Sequence, residues 1–198
     1  MSDLPEPVLL VRMHYNQFSN IMYPIECAIV DLINGTETVF YANTECFTET
    51  PEDVQVNNYR IEEIHGIPRN VDNGISRLPM EITAYINEEV ENLQLTYGIK
   101  KAIIVTTSRQ DYNYLEPYTR GYTLVDVGRD EEDFEKLKDE FPIQCKFGDH
   151  EKSHLGLHGI TTCAGKIANV YARYVIMSPS VCGFGLAKNR LHRSKFTF

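Results

Sequence analysis

Ile25-Glu26-Cys27-Ala28-Ile29-Val30-Asp31-Leu32, then Asn34-Gly35, then Glu37-Thr38-Val39-Phe40-Tyr41-Ala42 is the stretch on which the fold turns. The apolar, β-branched run predicts a strand. Asn34-Gly35 predicts a tight turn, because both residues tolerate positive φ, and residues 37–42 predict the returning strand. Upstream, Val8 to Met13 reads as a short buried strand, so the chain opens as an antiparallel meander. Downstream the pattern changes. Residues 43–73 are rich in Thr, Asn, Pro and acids, which predicts a long surface connection. Ile82, Ile86, Val90 and Leu93 recur at helical spacing and predict an amphipathic helix. Lys101–Thr106 reads as a buried strand, Tyr112–Leu115 as a short helix, and Tyr122–Val127 as another strand. A charged helix over Glu131–Phe141, stopped by Pro142, and a polar loop to His158 follow. The last helix spans Thr161–Met177, with Cys163, Ile167, Val170, Tyr171 and Tyr174 on one face.

Strands in a meander followed by alternating helix and strand give an α/β mixed sheet flanked by helices, in the ribonuclease H-like order. At 198 residues the chain has the length of one domain, here 1–198, with a basic tail over 178–198 that holds no acid. Its 42% hydrophobic and 24% charged residues are the balance of a folded protein. No apolar run reaches the roughly 18 residues of a membrane span, and Met1-Ser2-Asp3-Leu4-Pro5 lacks a signal peptide's pattern, so the cytosol or nucleus is expected. Five irregularly spaced cysteines point to metal ligation or burial rather than to disulfides. A net charge of −9 disfavours broad adhesion to nucleic acid.

Two segments are similar to motifs of the DEDDh exonucleases. In Thr107-Ser108-Arg109-Gln110-Asp111-Tyr112-Asn113-Tyr114-Leu115, Asp111 stands like that family's second carboxylate. In Leu157-His158-Gly159-Ile160-Thr161-Thr162-Cys163-Ala164, His158 precedes Cys163 as the family's histidine precedes its last aspartate. That chemistry needs four carboxylates to hold two divalent ions about 3.5–4 Å apart, with the histidine as base. Here the first strand, where Asp-x-Glu is required, reads Leu10-Val11-Arg12-Met13-His14. A guanidinium repels magnesium, and a thiol is too soft for it. The plain reading of Asp111 is a helix N-cap, and of His158 a loop histidine.

A closer resemblance is to the Maelstrom domain, a ribonuclease H-like relative that replaces the carboxylates by a Glu-Cys-His-Cys zinc site. It rests on Val8–Phe18 and on Met22-Tyr23-Pro24-Ile25-Glu26-Cys27-Ala28-Ile29-Val30, where Glu26 stands in the family's Pro-x-Glu. It rests also on His65-Gly66-Ile67-Pro68, on Cys145 with His150-Glu151, and on Cys163-Ala164. The resemblance, covering about residues 8–177, implies a structural zinc held by Glu26, Cys145, His150 and Cys163. Two thiolates, an imidazole and a carboxylate satisfy tetrahedral zinc. The family separates its Cys and His by two residues, and here four intervene, so His154 and His158 stand as rival ligands. Burial as small apolar groups is the alternative for both cysteines. The family often carries an HMG box before this domain; with only seven residues before Val8 the chain is either an excised domain or from a lineage that lacks the box, and DNA bending is not carried over.

The resemblance further implies a piRNA-type, germline transposon-silencing role in perinuclear granules or the nucleus. Single-stranded RNA would be the ligand, silencing-pathway proteins the partners, and at most a weak magnesium-independent endoribonuclease the activity. Charge and aromatic type nominate Arg12, Arg109, Arg120, Arg173, Lys188, Arg190, Arg193 and Lys195 for phosphate, with Tyr112, Tyr114 and Tyr118 for stacking. The competing reading is a catalytically dead nuclease fold that serves as a protein-interaction scaffold. A two-metal exonuclease with displaced carboxylates is the third.

Overall fold

The computed structural model describes residues 4–67, 78–119, 121–128, 136, 137, 139 and 163–177. Five strands form one sheet in the order β3-β2-β1-β4-β5. The strands are β1 (Glu6–Phe18), β2 (Ile21–Asp31), β3 (Glu37–Tyr41), β4 (Ala102–Thr106) and β5 (Tyr122–Asp126). The meander is antiparallel, and β4 and β5 join it in parallel on the far side of β1. The sheet is therefore mixed, with β1 at its centre.

Helices cover both faces. On one face α2 (Pro79–Tyr97) packs Ile82, Ile86, Val90 and Leu93 onto Val11, Met13, Cys27, Ile29 and Ile104. Pro79 opens this helix, and Gly98 at φ 64° ends it. On the other face α4 (Ala164–Met177) packs Ile167, Val170, Tyr171 and Val175 onto Leu10, Ala28, Val30, Ile103 and Val105. No helix among the described residues is long and apolar enough to cross a membrane.

Three expectations need correction. The opening strand runs to Phe18, well past Met13, because Arg12, His14 and Asn16 interrupt the apolar pattern without ending the strand. The connection at 43–73 is not all loop: α1 (Pro51–Tyr59) and a π-helical turn (Arg60–His65) lie within it. Its start is written as Thr50-Pro51-Glu52-Asp53, a reciprocal capping box with Pro at the first turn. The helix has no apolar stripe to betray it, since it docks through Asp53 and Asn57. Third, the short helix α3 (Arg109–Leu115) is capped by Ser108, not Asp111. Of the expected helix at 131–141 only Lys136, Leu137 and Asp139 are described; they are helical, and Leu137 is buried.

Candidate functional site

The ladder between β1 and β4 ends at Val11–Thr106, so β1 outruns its neighbour from Arg12 to Phe18. Unpaired backbone groups along that edge must find other partners. Side chains supply them. The Asp111 carboxylate accepts from the Met13 N–H at 3.2 Å, and Arg60 donates to the Tyr15 carbonyl at 3.3 Å. The Asn57 amide both accepts from and donates to the Gln17 backbone at 2.7 Å. At the tip, Ser19 and Asn20 take φ of 50° and 63°, and the Asp53 carboxylate receives both of their N–H groups.

Asp111 is fully buried. It is set there because α3 starts immediately after β4 and places its third residue against β1. Its Oδ1 also accepts from the Tyr15 hydroxyl at 3.0 Å, and its Oδ2 lies 3.6 Å from Arg12 Nη1. Burial pushes the Asp111 carboxyl up, outweighing the pull of Arg12, Ser108, Tyr15 and Met13 in the other direction. Burial, and then the neighbouring carboxylate, likewise raise Tyr15 well above an ordinary phenol.

A second polar group lies on the α4 face. His14 and Glu26 are cross-strand partners, with Nε2 and Oε2 3.7 Å apart, both buried. Glu26 Oε2 accepts the N–H of Ala164 at 3.2 Å, so a strand carboxylate caps the first turn of α4 and meets its dipole. Cys163, fully buried, directly precedes that residue. Gly165 keeps the turn close to the sheet: an added Cβ would stand 2.6 Å from Glu37 Oε1 and 3.0 Å from Val39 Cγ2. Beyond His14 lies His65, its ring 5.7 Å away. The His65 Nδ1 accepts from the Ile67 N–H, which leaves the proton on Nε2 to be donated to Asn16 Oδ1 at 3.1 Å.

Of the expected zinc ligands, Glu26 accepts from the N–H of Ala164, the residue that follows Cys163. Cys145, His150, His154 and His158 lie outside the described residues, as do Arg120, Lys188, Arg190, Arg193 and Lys195. Among the described residues no three His, Cys, Asp or Glu side chains stand close enough to share a metal ion. Cys27 and Cys163 are buried and Cys46 is exposed. Arg12 turns inward to Asp111 and is 20% exposed. Arg109 is exposed and stacks 4.5 Å over the Tyr112 ring. Tyr114 is tied to the Pro79 carbonyl, Tyr118 is exposed, and Arg173 is half-buried. Sequence reasoning missed His14 as the partner of Glu26, and His65 and Asn16 beside it. The signal was polar residues at 12, 14 and 16 in an otherwise apolar strand, which share one face by alternation.

Comparison with protein-family models returns no match, and neither does comparison with curated proteins. Among solved structures, the exonuclease domain of Mopeia virus, partially complexed with manganese, matches with a TM-score of 0.52 at 20% identity, over 88% of this chain and 79% of that one. The same viral domain fully depleted of manganese gives 0.52 at 19% identity, over 90% and 80%. The fold is ribonuclease H-like. At this identity the likeness extends to the fold alone, and within it Arg12, His14 and Glu26 of the sheet and Asp111 of α3 lie along the far half of the central strand.

Proposed function

We propose that this chain is a Maelstrom-like ribonuclease H-fold domain that binds single-stranded RNA in a piRNA-type silencing pathway and carries no two-metal nuclease chemistry. The Arg12–Asp111 pair is the observation that carries the second half. Manganese accompanies the viral exonuclease domain, but the donors here do not fit a divalent pair. The strand position that would supply the first carboxylate holds a guanidinium 3.6 Å from the carboxylate that is present. Any cleavage would draw on basic or imidazole groups and be slow.

Zinc fits the described donors as far as they go, since a buried carboxylate reaches the backbone beside a buried thiol. Glu26 and Cys163, with Cys145 and the imidazole of His150 or His154, would hold it. Filled by four protein ligands, zinc supplies cross-linking rather than an activated water. RNA contact is assigned to Arg109 with Tyr112, to the exposed Tyr118 ring, and to the basic residues of 178–198.

Filter binding of single-stranded RNA between about 50 and about 200 mM salt tests the reading. Affinity should fall by about 0.7 log units per phosphate contact for each log unit of salt, and Arg109→Ala should flatten the slope. A 3′-labelled oligonucleotide should stay intact with magnesium or manganese. Metal-dependent shortening that Asp111→Ala abolishes would overturn the reading. The net charge of −9 favours the scaffold for silencing-pathway proteins as the second reading, and failure to retain RNA at low salt would select it.

A further inference from the structure

We infer that residues 50–64 are a lid that opens as one unit with the β1–β2 tip, with Asp53 as its latch: closed, it conceals the bare edge of β1 at Tyr15 and Gln17, and open, it presents that edge. Its action needs neither RNA nor zinc. Helices α2, α3 and α4 each bury apolar side chains, whereas the residues that α1 buries are Asp53 and Asn57. Val54 and Tyr59 are exposed, and among the described residues no side chain from Thr50 to Ile64 belongs to an apolar cluster. Apolar burial is the main free energy that holds a helix to a sheet, and hydrogen bonds that water can replace contribute little net. A segment seated through polar groups is therefore where a fold opens first.

The fastenings converge on one carboxylate. Asp53 accepts the Ser19 N–H at 2.8 Å, the Asn20 N–H at 3.1 Å and the Gln17 side-chain amide at 2.9 Å. The same group takes the Thr50 N–H and hydroxyl of the capping box, so it closes the start of the helix and the tip of the hairpin together. Ser19 and Asn20 hold a left-handed backbone that residues with a Cβ adopt only at a cost, and the tip must loosen when the carboxylate leaves. Asn57 makes to Gln17 the pair of bonds that a neighbouring strand would make, one accepted from its N–H and one donated to its carbonyl. Arg60 adds the Tyr15 carbonyl. Apolar anchors stand on either side of the lid. Before it, the Phe47 ring lies 5.3 Å from Phe18 and 4.6 Å from Tyr23, and after it Ile67 is buried in the same cluster. The segment between can swing while both its ends stay seated.

Native-state amide hydrogen exchange of the full chain, followed by nuclear magnetic resonance at a series of low urea concentrations, tests the lid. In wild type the amides of Gln17, Ser19, Asn20 and Arg60 should share one opening constant, about a hundredfold or more above that of Leu10, Val30 and Val90. Its urea dependence should be the weaker of the two, because opening the lid uncovers little surface. The Asn57 side chain bonds Gln17 and Glu49 and touches neither tip amide. Asn57→Ala should nevertheless raise the opening constant about tenfold at Ser19, Asn20 and Arg60 alike. Asp53→Ala should raise it further at the same positions. Should Asp53→Ala not fold, wild type and Asn57→Ala decide. The proposal is overturned if the tip and α1 amides open with separate constants, or if they exchange only together with Leu10, Val30 and Val90. It is equally overturned if Asn57→Ala speeds Gln17 and leaves Ser19 and Asn20 unchanged.

Discussion

Replacing Asp111 by Ala removes an acceptor on which two buried donors depend, the Met13 N–H at 3.2 Å and the Tyr15 hydroxyl at 3.0 Å. Leaving a buried donor unsatisfied costs about 1–3 kcal/mol. Arg12 also loses its partner, but at 20% exposed its head can reach water, and nothing is added for it. The sum is about 2–6 kcal/mol, a large part of the roughly 5–15 kcal/mol that domains possess. Asp111→Asn keeps an acceptor and removes only a buried charge, so about 1 kcal/mol or less is expected. Tyr15→Phe, which deletes one of the two donors, should cost about 1 kcal/mol. Because the folded pKa of Asp111 is raised, its titration contributes stability that is full below about pH 4 and is lost as pH rises through the folded value. Asp111→Asn abolishes that slope. Urea unfolding followed by far-ultraviolet circular dichroism at a series of pH values measures all three variants, with shifts in midpoint read at unchanged m. An Ala variant within 1 kcal/mol of wild type, or an Asn variant as damaged as Ala, refutes the reasoning.

Gly128→Ala places a Cβ against the backbone carbonyl of Thr107, which cannot yield as a side-chain end can, so a loss of about 2 kcal/mol is expected by the same unfolding assay. Asp53 behaves oppositely to Asp111. Burial works to raise its pKa, but hydrogen bonds from Thr50, Gln17 and Asn20 outweigh it and hold the carboxyl well below the usual range. Its contribution is present above about pH 4 and lost as pH falls toward the depressed folded value, so Asp53→Asn should remove part of the acid limb of the stability profile. Elemental analysis should find one zinc per chain in wild type and none in Cys163→Ala or Glu26→Gln; a metal-free wild type would remove zinc from the proposal.

The fold was legible wherever burial imposes a period. Ile82, Ile86, Val90 and Leu93 announced α2, and Ile167, Val170, Tyr171 and Tyr174 announced α4, because each stripe faces the sheet. Asn34-Gly35 announced its turn, with Gly35 at φ 70°. The tip of the first hairpin was illegible, because Ser19 and Asn20 owe their left-handed backbone to Asp53 from a distant helix rather than to a local Gly. The same held for α1, which docks by hydrogen bonds that no hydrophobic period records. At the site, Glu26 and Asp111 were readable as acids in unusual company. Their partners were not, since His14 meets Glu26 through strand register and Arg12 meets Asp111 through the arrival of α3.

The bare edge of β1 explains why this site is polar at all. A central strand that outruns its neighbour leaves backbone groups at Met13, Tyr15 and Gln17 that only side chains can serve, and Asp111, Arg60 and Asn57 serve them. Asp111 is thereby bound to a structural duty first. One of its oxygens is consumed by the strand, and only the other is left to face a cation. In a fold so built, the identity of the residue at position 12 decides between two outcomes. A carboxylate there adds to the negative charge and requires metal, whereas a guanidinium cancels the charge and needs none. The arginine found here keeps the sheet edge closed without an ion. On the α4 face, Glu26 instead faces His14 and caps the helix at Ala164.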